Sequence, residues 1–176
     1  AEDIIYGVYP SGLSVSNDVL YYTEQKESGK VFSVNLSADF YNSEIMIEDL
    51  YYPSDITISN NIVYVSEISN DRILKFNLLD DNPNIEVLLN NVDGPFNLVI
   101  NNGKLYFIEE FKYKISMINL FDNDYNTNEI ISNLNGPTGF EIIDDCIYLS
   151  LSPFDGEKGN IAVGCSKVLD LDKKND

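Results

Sequence analysis

Along this chain apolar and polar positions alternate over stretches of about five residues, separated by clusters of Gly, Asn, Asp and Pro. No apolar stripe recurs at the helical period. The pattern predicts short, half-buried β-strands, and it repeats. Pro10-Ser11-Gly12-Leu13-Ser14-Val15 leads to Val19-Leu20-Tyr21-Tyr22, and Pro53-Ser54-Asp55-Ile56-Thr57-Ile58 leads to Ile62-Val63-Tyr64-Val65. Pro95-Phe96-Asn97-Leu98-Val99-Ile100 leads to Lys104-Leu105-Tyr106-Phe107, and Pro137-Thr138-Gly139-Phe140-Glu141-Ile142 leads to Cys146-Ile147-Tyr148-Leu149. The four prolines are 43, 42 and 42 residues apart. Each is followed eleven residues later by a tyrosine (Tyr21, Tyr64, Tyr106, Tyr148). A third segment closes on Asn-Leu (Asn35-Leu36, Asn77-Leu78, Asn119-Leu120), and a fourth begins with an acid (Glu44, Glu86, Glu129). A fixed period of this length denotes a repeated supersecondary unit.

Four strands per unit of about 42 residues is the signature of a β-propeller blade; leucine-rich repeats have periods of about 20–29 residues. The motifs Pro-x-Gly-Leu, Leu-Tyr-Tyr-x-Glu and Lys-Val-Phe-x-Val-Asn-Leu resemble the blades of NHL, YWTD and SMP-30/gluconolactonase-type propellers, from Asp3 to about Cys165. Propellers of that superfamily usually have six blades, whereas four units stand here. The stretch from Glu2 to Pro10 resembles that from Asn128 to Pro137 with one residue removed, and so reads as an outer strand preceding the first unit. The expected fold is all-β: a propeller of four four-stranded blades, its ring closed by the N-terminal strand completing the last blade. Residues 1–166 would form one domain, with blade repeats starting near 10, 53, 95 and 137, and residues 167–176 a polar tail. Two alternatives stand beside it. One is part of a six-bladed propeller; in the other, Val168–Leu171 completes the last blade and leaves an arc that associates. A closed ring predicts a monomer.

Cys146 and Cys165 are the only cysteines, and there is no histidine. Asp155-Gly156 between them is a two-residue turn signal. If Phe154 pairs with Glu157, then Ser150 faces Ile161 and Cys146 faces Cys165. Counted this way the cysteines form a hydrogen-bonded pair with α-carbons about 5.5 Å apart, within disulfide range. A disulfide and two reduced thiols are both compatible with that register. Without histidine there is no Cys–His nucleophile, and two cysteines alone make a poor zinc site.

Charge narrows the partners. With 29 acidic against 11 basic residues the formal charge is −18, which argues against nucleic acid and against anionic membrane surfaces. No apolar run reaches the roughly 18 residues of a spanning helix, so no membrane insertion is expected. The chain opens Ala1-Glu2-Asp3 without Met, as a processed or a trimmed chain does. With the cysteine pair, this points to an extracellular or periplasmic setting.

The resemblance implies that the first strand of each blade is innermost and starts at the face where ligands bind. That places Ser11/Gly12, Ser54/Asp55, Phe96/Asn97 and Thr138/Gly139 around one channel mouth. Asp55 and Asn97 stand where two units have Gly. They either tolerate a left-handed backbone there or offer oxygens and amides to a ligand. Glu24, Glu67 and Glu109 each lie fourteen residues after their proline, with Leu151 in the fourth unit. The resemblance implies a blade-to-blade structural role for these acids. A converging ring of carboxylates would instead suit Ca²⁺, which seeks six to eight oxygens; otherwise no cofactor is expected. Asp122-Asn123-Asp124-Tyr125-Asn126 lacks the Gly and Glu of a calcium loop and reads as a solvated turn. Tyr9, Tyr51, Tyr52 and Phe96 flank the prolines, and Phe111 and Tyr113 lie in the third unit's loop. Such aromatics can stack on a sugar or on a partner's side chain.

The preferred function is therefore a non-enzymatic binding or protein-interaction propeller working through its acidic, aromatic mouth. Its partner would be a protein or a small ligand, carbohydrate included. An SMP-30-like metal-dependent lactonase or related hydrolase is the alternative, and a structural module without a small ligand is the third.

Overall fold

The computed structural model describes residues 9–144, 146–153 and 158–165. The N-terminal strand expected over residues 1–8, the turn at 154–157, Val168–Leu171 and the tail at 167–176 lie outside them.

Four antiparallel meanders follow one another. The first comprises β1 (Pro10–Ser16), β2 (Val19–Glu24), β3 (Gly29–Asn35) and β4 (Ser43–Leu50). The second comprises β5 (Pro53–Ser59), β6 (Ile62–Glu67), β7 (Arg72–Asn77) and β8 (Glu86–Asn90). The third has β9 (Pro95–Asn101), β10 (Lys104–Glu109), β11 (Lys114–Asn119) and β12 (Asn128–Ile131), and the last β13 (Pro137–Ile143), β14 (Cys146–Leu151) and β15 (Asn160–Cys165). Strands pair in sequence order, giving three four-stranded sheets and, among the described residues, a three-stranded fourth. Each sheet starts at its proline, as the repeat predicts. The chain divides into two compact units, Ala1–Leu98 and Val99–Asp176.

Local chemistry explains the repeat. The first hairpin of each of the first three sheets turns on two residues of positive φ: Asn17 and Asp18, Asn60 and Asn61, Asn102 and Gly103. These are type I′ turns, whose twist matches the strands and which select Asn, Asp and Gly. The recurring Asn-Leu is a capping device. Asn35, Asn77 and Asn119 each accept, through Oδ1, the N–H two residues on (Ser37, Leu79, Phe121; 2.9–3.1 Å). The following leucine donates its N–H to the hairpin turn: Leu36 to Asp18, Leu78 to Asn61 and Leu120 to Gly103. The asparagine thus ends the third strand, and the leucine ties it to the first turn.

Within the first unit, Tyr21, Val31 and Ile47 of the first sheet pack with Ile56, Val63, Leu74 and Phe76 of the second. Tyr21, Tyr64 and Tyr106 are buried, as a packing role requires, whereas Tyr148 is 39% exposed. The register of β14 with β15 is the one counted from the sequence: Ser150 faces Ile161 and Cys146 faces Cys165. The cysteines form a disulfide, and their α-carbons lie 4.0 Å apart. That is closer than the hydrogen-bonded spacing expected.

Candidate functional site

Each first strand begins with a proline, and in three of them the register with the second strand then shifts, between Pro10 and Leu13, Pro53 and Asp55, and Pro137 and Gly139. A hydroxyl on the second strand holds the bulge in place. Thr23 Oγ1 accepts from Gly12 N at 2.8 Å. Ser66 Oγ accepts from Asp55 N at 3.1 Å and shares a hydrogen with Ser54 Oγ at 2.9 Å. Ser150 Oγ donates to Gly139 O at 3.0 Å and shares a hydrogen with Thr138 Oγ1 at 2.9 Å. The third sheet has Ile108 at this position. Ser54 also donates to Pro95 O at 3.0 Å, from a buried position. Of the hydroxyls assigned to the mouth, Ser54 and Thr138 therefore serve the bulges, while Ser11 is exposed.

Asp55 and Asn97 separate into different cases. Asn97 has φ of 49°, the left-handed backbone that a Gly-equivalent position suggests. Neither Asp55 nor Gly12 has a positive φ. What Gly12 supplies is room: a Cβ there would lie 2.5 Å from Asp55 Cα and 2.7 Å from Ile56 N. The Gly at this position thus answers a close approach of β1 to β5. Asp55 in turn accepts from Leu98 N through Oδ2 at 2.6 Å, joining β5 to β9. Burial pushes its carboxyl above the ordinary range, against the lowering effect of the Leu98 and Ile56 N–H groups. Phe96 is half-buried.

Glu24, Glu67 and Glu109 end β2, β6 and β10, and all three are buried. Each meets a cation from its own sheet or the loop that follows. Lys26 lies 2.8 Å from Glu24, Arg72 bonds Glu67 through Nε, and Lys114 and Lys112 lie 2.9 and 3.6 Å from Glu109. Glu67 also accepts from Tyr51 N at 2.5 Å, fastening the link out of the first sheet to the second. Glu109 accepts from Ser116 Oγ at 2.6 Å. The sequence repeat locates these glutamates; their cations (Arg72, Lys114) and the hydroxyl partners on the second strands are the residues that strand-by-strand reading missed. Aligning the four second strands column by column brings out the hydroxyls. Among the described residues no group of three His, Cys, Asp or Glu side chains is placed to hold a metal ion. Asp122 accepts from Asn119 Nδ2 at 2.9 Å, within its own turn.

Aromatic side chains occupy the same ends of the sheets. In the first unit Tyr9 is 73% exposed, and Tyr51 and Tyr52 are each 37% exposed and pack edge to face with centroids 5.0 Å apart. Their backbone is pinned: Gln25 N donates to Tyr9 O, and Tyr52 N to Lys26 O, both at 2.9 Å. Tyr52 is held at φ of 49°. The three tyrosines thus surround one turn, between β2 and β3. In the second unit Phe111 and Tyr113 are 61% and 42% exposed.

No protein-family model matches the chain, and no curated protein matches it. Solved structures do. One, titled a nidogen/laminin complex, matches with TM-score 0.71 at 19% identity over 81% of this chain and 56% of that one. A streptogramin B lyase matches with TM-score 0.64 at 13% identity, over 90% and 55%. A computationally designed protein, Ika4, matches with TM-score 0.62 at 10% identity, over 94% and 98%. This chain thus spans a little over half the length of the first two. At these identities the likeness shows the fold. The four sheets are the blades of a β-propeller.

Proposed function

We propose that the chain is a non-enzymatic binding propeller whose aromatic rim engages a partner protein or a carbohydrate. One observation carries the reading. At the strand-starting end of the sheets the polar groups suited to chemistry are engaged in holding the fold, whereas the aromatic rings are exposed on a pinned backbone. Aromatic anchors fixed before binding lose little entropy when they bind. Exposed Ser11 and half-buried Phe96, each next to its blade's proline in sequence, would belong to the same rim. The hydrolase reading needs a divalent ion and a general base; Asp55 is turned to Leu98 N, and the glutamates to their own cations. Ca²⁺ at Glu24, Glu67 and Glu109 would have to displace those lysines and the arginine. A neighbour titled as a complex is consistent with an interaction role, and a disulfide with an extracellular or periplasmic one.

The test is a binding screen of the immobilised chain against secreted ectodomains and a glycan array, run in parallel with a Tyr51→Ser/Tyr52→Ser variant. Hits abolished by the variant support the reading. Hits indifferent to it, or lactone turnover dependent on Ca²⁺, Mg²⁺ or Mn²⁺, contradict it.

A further inference from the structure

A cavity of ≈ 250 Å³ opens in the second unit where the third sheet meets the fourth, lined by Glu110, Tyr113, Pro137, Thr138, Ser152 and Pro153 with Gly136. Its origin shows when the repeats are compared. Asp71 and Tyr113 both stand four residues after the strand-ending glutamate. Both have φ of 51°, and both accept a 2.9 Å hydrogen bond on the carbonyl from the outer link, Val92 N and Leu134 N respectively. The backbones coincide and the side chains do not. Asp71 is a residue that tolerates the left-handed region, and its Oδ1 caps Gly94 N at 2.9 Å. Tyr113 is a bulky residue in that region and has no carboxylate to offer Gly136, the counterpart of Gly94. Local stability is forgone at a position that holds an exposed ring over a cavity, the pattern of a strained functional residue.

The lining chemistry selects the occupant. It comprises one carboxylate, one phenol ring, two hydroxyls and two proline rings, with no Lys or Arg. The loop's cations, Lys112 and Lys114, reach Glu109 instead, and Glu110 has no ion-pair partner among the described residues. The chain as a whole carries −18, which draws cations toward it. A guanidinium is the cation that forks a carboxylate and also lies flat on an aromatic ring. We propose that this cavity receives an arginine side chain presented by a partner polypeptide, held between Glu110 and Tyr113; this rests on the interaction reading above and names the chemistry of its partner.

The test titrates the full chain with N-acetyl-arginine amide and with its neutral isostere, N-acetyl-citrulline amide, following Thr138 and Tyr113 by NMR. The expected result is saturable shifts at both residues with the arginine probe, and binding at least about tenfold weaker with citrulline. Glu110→Gln should weaken the arginine probe about fivefold or more. Tyr113→Asn keeps a residue suited to the left-handed backbone and adds an amide oxygen that can cap Gly136. It should match or exceed the wild-type melting temperature and still bind about fivefold more weakly. Equal binding of the citrulline probe, shifts scattered over the acidic surface without saturation at Thr138, or wild-type affinity in Tyr113→Asn would overturn the proposal. The Tyr51→Ser/Tyr52→Ser variant should leave this titration unchanged. Rim-dependent partners found without arginine binding would defeat the cavity alone; arginine binding with no rim-dependent partner would defeat the wider reading instead.

Discussion

Removing the Asp55 carboxylate tests whether this conspicuous polar residue is architectural. Leu98 is 5% exposed and its N–H has Asp55 Oδ2 as acceptor at 2.6 Å. Asp55→Ala leaves that N–H buried without this acceptor, a loss of about 1–3 kcal/mol. Against it runs the relief of a buried charge, since burial raises the Asp55 carboxyl above its ordinary value. The net cost at neutral pH should therefore fall near about 1–2 kcal/mol, or roughly 2–8 °C in melting temperature for a chain of this size. The pH dependence has a definite sign. A carboxyl whose folded-state pKa is raised binds its proton more tightly when folded, so its contribution is full below the unfolded value of 3.8 and is lost as pH rises through the folded one. The protonated acid still accepts from Leu98 through its carbonyl oxygen, now without the charge penalty. The gap between wild type and Asp55→Ala should hence narrow as pH rises, other titrations cancelling in the difference. Urea unfolding followed by tyrosine fluorescence from about pH 3 to about pH 8 measures it. A cost under about 0.5 kcal/mol throughout, or a gap that widens with pH, would refute the reasoning.

Other variants probe the remaining ties. Glu67→Ala strips the acceptor from Tyr51 N and from Arg72; with the Arg72 side chain 32% exposed, the cost should sit near the low end for a broken buried pair, about 3 kcal/mol, in denaturant midpoint. Gly12→Ala pushes a Cβ into the Asp55 backbone and should cost about 1–3 kcal/mol, read as a lower melting temperature. Asn97→Ala, forced to φ near 49°, should be about 1–2 kcal/mol less stable than Asn97→Gly, a comparison that isolates the backbone term. Reducing the Cys146–Cys165 bond, whose cysteines are 19 residues apart, should cost about 3 kcal/mol, seen by calorimetry with and without reductant.

Blade boundaries, the cysteine register and the glutamate column were legible in the sequence because a four-fold repeat averages away local ambiguity. Each strand's alternation is weak alone, but four prolines and four tyrosines at one spacing fix the phase. The roles of single residues were less legible, because a repeat shows that a position matters and not why. Gly12 and Asn97 share a column, yet one is needed for room and the other for a left-handed backbone. Asp55 reads either as a residue tolerating a left-handed backbone or as a ligand group, and its bond to Leu98 N, 43 positions away, is not legible locally. Tyr113 looks like any loop aromatic until Asp71 is seen at the same backbone angle. For Gly12 and Asp55 the deciding partner lies in a different blade, beyond the reach of local pattern.

The most direct measurement compares affinities for the first partner that the screen yields, in wild type, Tyr51→Ser/Tyr52→Ser and Asp55→Ala, at a temperature where all three are folded. An aromatic anchor lost should cost at least about 2 kcal/mol, or roughly thirtyfold in Kd, while Asp55→Ala should stay within about threefold because its carboxylate faces the fold. The opposite order, with Asp55→Ala crippling binding and the tyrosine pair dispensable, would contradict the account.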